Sequence, residues 1–409
     1  MNSPALQAAA LAADPPAATA SPSRLASIDA YRGLVMLLMI GEVLSFHRVS
    51  DALPDSSFWK FLAFHQSHVE WVGCSLHDLI QPSFSFLVGV ALPFSLMSRA
   101  ARGQSEGSMF GHAVMRAVIL IFLGIFLRSI GRAQTNFTFE DTLTQIGLGY
   151  VFLYLIGRKS ERFQWGSVAA ILFGYWLAFA LYPLPGPDFD WAKAGVAADW
   201  PHHLSGFAAH WNKNTNAAWA FDTWFLNLFP REKPFLFNGG GYSTLSFIPT
   251  LATMVLGSIA GGWLLRAGEP MQKAKKLALA GVIALAVGWA LNASGICPNV
   301  KKIWTPTWTI FSAGWCFLFL AGFYALLDVK GAKRWAFFLI VIGMNSIAAY
   351  CMEWLFVGFI RRSLDTHLGK GYVNIFGAPY ASLVQGAAVI TILWLILYWM
   401  QKRRIFIKV

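Results

Sequence analysis

The sequence predicts an all-α, polytopic integral membrane protein of about ten transmembrane helices with both termini in the cytoplasm. Three observations carry that expectation. Hydrophobic residues make up 56% of the 409 and charged residues 13%, about half the charged share of an ordinary soluble domain. Apolar runs recur, among them 114–130, 168–184, 277–291, 337–356 and 387–400, and runs of about 20 residues with their flanks read as spanning helices. Basic residues also sort by connection, as a bilayer requires.

Taken in order, residues 1–23 are rich in Ala, Pro and Ser and hold no Lys or Arg. A secretory leader needs a basic start, so this stretch reads as a disordered tail. Spans follow at about 31–48, 76–98, 112–131, 141–157, 165–184, 243–265, 274–293, 304–327, 334–360 and 380–400. Arg24/Arg32, Arg99/Arg102, Arg158/Lys159/Arg162, Arg266/Lys273/Lys275/Lys276, Lys330/Lys333/Arg334 and Lys402/Arg403/Arg404/Lys408 fall on one side. The positive-inside rule makes that side cytoplasmic. An even number of spans agrees with matched ends.

On this threading the segment 185–242 lies outside. It is rich in Trp, His, Asn and Gly and carries no heptad or repeat. A loop this long is either a functional lid or a loosely folded insertion, and both readings stand. The net charge of +12 would suggest nucleic acid in a soluble protein. Here topology accounts for it, so lipid is the expected partner and nucleic acid is not. Cys74, Cys297, Cys316 and Cys351 form no CxxC and no metal-ligand spacing, so no metal is expected; a Cys74–Cys297 pair stays open.

The densest chemistry lies in "HVEWVGCSLHDLIQPSFSFLVGVALPFSL", His68 to Leu96. "SLHD", Ser75 to Asp78, matches a capping pattern ahead of an apolar run, which starts the second span at Ser75. One unbroken helix over 68–78 would turn about 1000° and rise about 15 Å, keeping His68 from Asp78. A turn at Gly73 would let them meet. His68 is then a catalyst or a solvated interfacial histidine, Asp78 a catalytic partner or a cap, and His77 a weaker candidate. Glu42, Gln145, Asn345 and Glu353 sit inside expected spans, where polar groups are costly and mark either function or a helix–helix hydrogen bond.

This stretch resembles the H-A-x-W-x-G-x-T-x-x-D-L-x-x-P-x-F-x-F-x-x-G signature of the heparan-α-glucosaminide N-acetyltransferase family, with His68, Trp71, Gly73, Asp78, Leu79, Pro82, Phe84, Phe86 and Gly89 falling on it. "RLASIDAYRGLVMLLMI", "DTLTQIGLGYVF", "STLSFIPTLATMVLGSIAGGWL", "NVKKIWTPTWTIFSAGW" and "GMNSIAAYCMEWLF" are similar to further family segments in the right order. The resemblance covers Arg24 to about Leu355. It implies a transmembrane acyltransferase domain over 24–409. That domain would move acetyl from cytoplasmic acetyl-CoA, as co-substrate, to a glucosamine amine on the far side. It implies a catalytic role for His68 and Asp78.

The sequence departs from the pattern at Glu42, where the family has Asn, at Gln145–Ile146 for Gln-Arg, and at Ser75 for Thr. Its outer loop is also longer than the pattern suggests. Around the reacting atoms, Glu42 is a candidate to hold the amine or act as a second base. Trp71, Gln145 and Asn345 are candidate oxyanion donors. Asn299, Lys301, Lys302 and Trp304 are candidates for sugar contact. Arg32, Arg99 and Arg334 are candidates for the phosphates of CoA. His68 could serve as general base or carry the acetyl group covalently. A bacterial cytoplasmic (inner) membrane is the expected location, and a homodimer is left open. The rival class is a transporter or permease for a sugar or sugar-lipid. An inverted repeat would mark it, and none is visible. A purely structural membrane subunit fits poorly with Glu42, His68 and Asp78 together.

Overall fold

The protein, seen in a computed structural model, is described over residues 24–407; the tail expected over 1–23 lies outside the described residues. Its regular secondary structure is helical among the described residues. Among the described residues the extended backbone amounts to an isolated antiparallel bridge between Val72 and Val300.

Seven helices are long and apolar enough to cross a membrane: His77–Ala100, Glu106–Ser129, Glu161–Ala180, Thr244–Leu265, Pro270–Ala293, Pro306–Val329 and Ala378–Lys402. Two bent pairs, Ala26–Leu44 with Phe46–Ala52 and Phe337–Met344 with Ser346–Leu368, raise the number to nine if each is one span. The remaining expected span is Thr142–Gly157, whose 16 residues rise about 24 Å, short of a hydrocarbon core of about 30 Å.

The helices used below are α1 (Ala26–Ile40), α2 (Phe46–Ala52), α3 (Ser57–His65), α4 (Ile80–Ala100), α5 (Glu106–Ser129), α6 (Thr142–Gly157), α7 (Glu161–Ala180), α8 (Ala217–Phe225), α9 (Phe247–Leu265), α10 (Pro270–Ala293), α11 (Pro306–Phe323), α12 (Phe337–Met344), α13 (Ser346–Leu368) and α14 (Ala381–Lys402). The span that holds α9 buries 83% of its apolar window, and α10 buries 17%. So α9 is the centre of the bundle and α10 presents its apolar side outward. Without water between helices, close backbone approach supplies the packing. Gly89 on α4 and Gly257 on α9 make it possible: a Cβ on either would stand 1.8 or 2.0 Å from a backbone carbonyl oxygen of the opposite helix.

The expected straight span over 334–360 is instead broken at Asn345, with an 81° bend. The Asn345 side chain explains what holds the break. It donates from Nδ2 to the Ile405 carbonyl at 3.1 Å and accepts at Oδ1 from the Ile407 N–H at 3.2 Å. It therefore ties the C-terminal segment to the α12–α13 corner.

Between α7 and α9 the chain packs through its asparagines. Asn212 accepts from Leu204 N–H at 2.7 Å, Asn214 donates to the Ala194 carbonyl at 2.8 Å, and Asn216 caps α8 by accepting from Ala218 and Trp219 N–H. All three are buried. The end of this segment, Asn238 to Tyr242, turns over the bundle and borders the site described next.

Candidate active site

Gly73 adopts φ +134°, a backbone region open to glycine and strained for other residues. The chain doubles back there, and Ser75 then starts the helix. Asp78 N–H donates to Ser75 Oγ at 3.2 Å and Asp78 Oδ2 accepts from Ser75 N–H at 2.9 Å, a reciprocal cap. Val69 N–H also reaches Oδ2, at 3.3 Å. With Oδ2 held this way, Oδ1 faces His68: Nδ1 of the ring lies 2.8 Å away. The aspartate side chain is 1% exposed and the histidine 38%, so the buried acid orients an accessible ring.

Lys301 completes the cluster from the segment before α11. Its Nζ lies 3.3 Å from Asp78 Oδ1, and 2.9 and 3.4 Å from Nδ1 and Nε2 of His68. An Nδ1–H donated to Asp78 leaves the lone pair on Nε2 as the basic position, within reach of Lys301. Burial holds the His68 imidazole below its ordinary value; Lys301 and His77 push the same way, and Asp78 opposes them. Burial also lowers Lys301, against the pull of Asp78. The ring is thus kept neutral, the form a base or nucleophile needs.

A second histidine–acid pair stands beside the first. His77 Nε2 is 2.8 Å from Glu42 Oε1, and the His68 and His77 rings are 4.6 Å apart. Both pairs open onto a cavity of about 710 Å³. Arg128, Glu140, Tyr242, Tyr350, Glu353 and Trp354 supply much of its remaining wall. The volume suits a ligand of drug or sugar size.

At the other end of the bundle lies a cavity of about 480 Å³ lined by Arg24, Arg32, Arg99 and Arg116. A smaller one of about 280 Å³ adjoins it through Ser95, Arg99 and Arg116. Asp29 answers part of this charge, with Arg24 Nε at 2.5 Å and Arg32 at 3.7 Å. Arg116 donates to the Tyr150 hydroxyl at 3.1 Å, yet its buried Nε has no protein partner. A buried donor left over in this way is unusual and suits an anionic ligand.

The two cavities nearly meet. Gln81 on α4 lines the first and Phe84 the second; Tyr350 on α13 lines the first and Ile347 the second. Three residues of helix rise about 4.5 Å. On these two helices the linings come within one turn of each other, whereas on α1 they stand seven residues apart, Arg32 to Met39, about 10 Å.

Of the candidates singled out in the sequence, His68, Asp78 and Glu42 come together at the first cavity. Arg32 and Arg99 line the second. Arg334 lies exposed, outside both. Trp71 spends its indole N–H on the Trp211 carbonyl at 3.1 Å, and Trp304 spends its own on Thr253 Oγ1 at 3.2 Å. Gln145 gives its amide to the Phe139, Ser243 and Thr244 carbonyls. Asn299 binds the backbone of Gly73, and Lys302 Nζ sits 5.9 Å over the Tyr242 ring. Asn345 is at the arginine end. All four cysteines are free thiols. No group of three His, Cys, Asp or Glu side chains suited to a metal occurs among the described residues. Nothing in the sequence singles out Arg128, Glu140 or Tyr242, while Tyr350 falls on the similar segment "GMNSIAAYCMEWLF". The placement of Lys301 on the His68–Asp78 pair was equally hidden; its one sequence signal is the Lys301–Lys302 doublet on the side otherwise poor in short basic loops.

The fold and site define a polytopic helical membrane protein with a buried-acid–histidine centre at one end and an arginine-lined cavity at the other. No protein-family model matches the chain. It is similar to heparan-alpha-glucosaminide N-acetyltransferase from Homo sapiens, at 24% identity over 96% of this chain and 61% of that protein. It is similar to the protein of the same name from Mus musculus, at 23% identity over 81% of this chain and 53% of that protein. The chain thus spans between about half and three fifths of these relatives' length. The similarity supports relatedness at the level of the family.

Proposed function

We propose that this chain is a transmembrane acetyltransferase. It takes acetyl from acetyl-CoA bound at the arginine-lined cavity and delivers it to an amine of the glucosamine type in the His68 cavity. The observation that carries the reading is the pairing of a neutral, acid-oriented histidine with a basic cavity whose lining comes within three residues of the histidine cavity on α4 and α13. The names of the two relatives point to the same reaction class.

The chemistry follows from the residues. Arg24, Arg32, Arg99 and Arg116 offer forked donors for the phosphates of CoA. The pantetheine arm carries the thioester to the wall between the cavities. Nε2 of His68 meets the acetyl carbonyl there, as base or as transient carrier. Lys301, 3.4 Å from Nε2, is placed to donate to the developing oxyanion. Asp78 holds the ring and stabilises positive charge on it. The distribution of basic loops supports a cytoplasmic arginine cavity with the acceptor on the far side, and a bacterial inner membrane is the location that goes with this reading.

The test is transfer of label from radiolabelled acetyl-CoA to glucosamine by the purified protein. Labelled product from wild type, absent with His68→Ala, is the expected result. Wild-type protein that binds acetyl-CoA and yields no labelled product with any amine would remove the proposal.

A further inference from the structure

Where His68 engages the acetyl group, the acetyl-transfer reading leaves the acceptor's proton without a residue to take it, and the inference here rests on that reading. A sugar amine at neutral pH arrives as an ammonium, with no lone pair to attack a carbonyl. His68 has one nitrogen open to the acetyl group, Nε2, because Nδ1 faces Asp78; Lys301 Nζ lies 3.4 Å from it. A nitrogen engaged with the acetyl group is not available to take the acceptor's proton.

The Glu42–His77 pair has the geometry for that task. Glu42 sits in the short turn Gly41–Leu44 that ends the α1 segment. Its carboxylate is 50% exposed, whereas the His77 side chain behind it is 7% exposed. Both line the same cavity as His68. With the two rings 4.6 Å apart, an amine held against Glu42 lies next to an acetyl group at Nε2 of His68. Glu140 and Glu353 add carboxyl groups to the wall, and Arg128 and Lys301 add cations.

We propose that Glu42 and His77 form the base that strips the acceptor ammonium, leaving His68 to the acetyl group. The ammonium gives its first proton to the pair and gains its lone pair. The nitrogen forms a bond to the acetyl carbon. The carbon–sulfur bond to CoA breaks, or the carbon–nitrogen bond to His68 on the covalent route. The leaving sulfur or imidazole nitrogen takes the second proton. The product is a neutral amide, and the pair releases its proton to the cavity.

The full-length protein is assayed in detergent with radiolabelled acetyl-CoA and two acceptors, glucosamine and aniline, the latter carrying no ammonium proton at neutral pH. In Glu42→Gln and His77→Gln, kcat/KM for glucosamine falls about 100-fold, and the loss with aniline is at least tenfold smaller. His68→Ala loses both. A second readout needs no aniline turnover: in Glu42→Gln the glucosamine rate climbs about tenfold per pH unit toward the pKa of the amine, where wild type is flat. His68, Arg128, Glu140, Asp141, Tyr242, Lys301, Tyr350 and Glu353 also face this cavity, with Asp78 buried behind His68, and all are the same in both proteins. Unchanged glucosamine kinetics, or parallel pH profiles in a variant that melts with wild type, overturns the assignment of the base. Wild-type protein that acetylates neither amine overturns the acetyl-transfer reading instead.

Discussion

The two ends of this bundle are built from opposite chemistry. The arginine end collects four guanidinium groups around one compensating aspartate. The His68 end interleaves acids, imidazoles, a lysine and tyrosines. The first arrangement suits holding an anion at a fixed place. The second suits moving protons, because its groups are paired and share charge. A single packed core, with α9 at its centre, holds the two apart, with their linings approaching most closely along α4 and α13. The comparison teaches that binding and chemistry are divided between the ends, so damage to one should leave the other's signature intact.

The sharpest break comes from His68→Ala. Transfer should fall at least about 1000-fold while acetyl-CoA still protects the protein thermally; loss of that protection would show that the ends are not separable. Lys301→Met should come next, with kcat reduced about 100-fold as an oxyanion donor is lost. It should also move the acid limb of kcat/KM to higher pH, by about one unit. The sign follows from the site: Lys301 lowers the imidazole pKa, its removal raises it, and neutral histidine is then lost earlier as pH falls. An unmoved limb would take the titration away from His68.

At the other end, Arg99→Ala or Arg116→Ala should raise KM for acetyl-CoA about tenfold and leave kcat close to wild type. A short acetyl thioester without phosphates should show no such penalty. Equal losses with both donors would mean that the arginines hold the fold and not the ligand. The smallest effect belongs to Asn345→Ala. Ile407, which Asn345 ties down, lines the arginine cavity. KM for acetyl-CoA should rise about two- to threefold with the glucosamine KM unmoved; a change in the latter instead would place Asn345 in the acceptor site after all.

The parts of this architecture readable in the sequence are local ones. The Ser75–Asp78 cap needs four residues, and Gly73 announces the turn that lets His68 meet Asp78. Long apolar runs reveal the spans because bilayer thickness fixes their length. The rest depends on distance along the chain. Lys301 reaches His68 across 233 positions, and no local pattern encodes that approach. Gln145 looked like a polar group inside a span, yet it serves carbonyls 98 and 99 residues away. Asn345 looked central because the 81° break is invisible to a hydropathy run. Trp71 and Trp304 fell on suggestive motifs, but their N–H groups satisfy buried oxygens.

The wall between the cavities carries an electrical consequence. On the covalent route acetyl leaves a thiolate on the cytoplasmic side, and the acceptor ammonium becomes a neutral amide with two protons released outside, one through the Glu42–His77 pair and one through the His68 imidazole. A wall that passes acetyl and blocks protons makes each turnover move one positive elementary charge outward. Against an inside-negative potential this costs about 2.3 kcal/mol per 100 mV. The enzyme would then be electrogenic, working uphill against membrane voltage, and the direction and extent of acetylation in a sealed vesicle would follow the potential imposed across it.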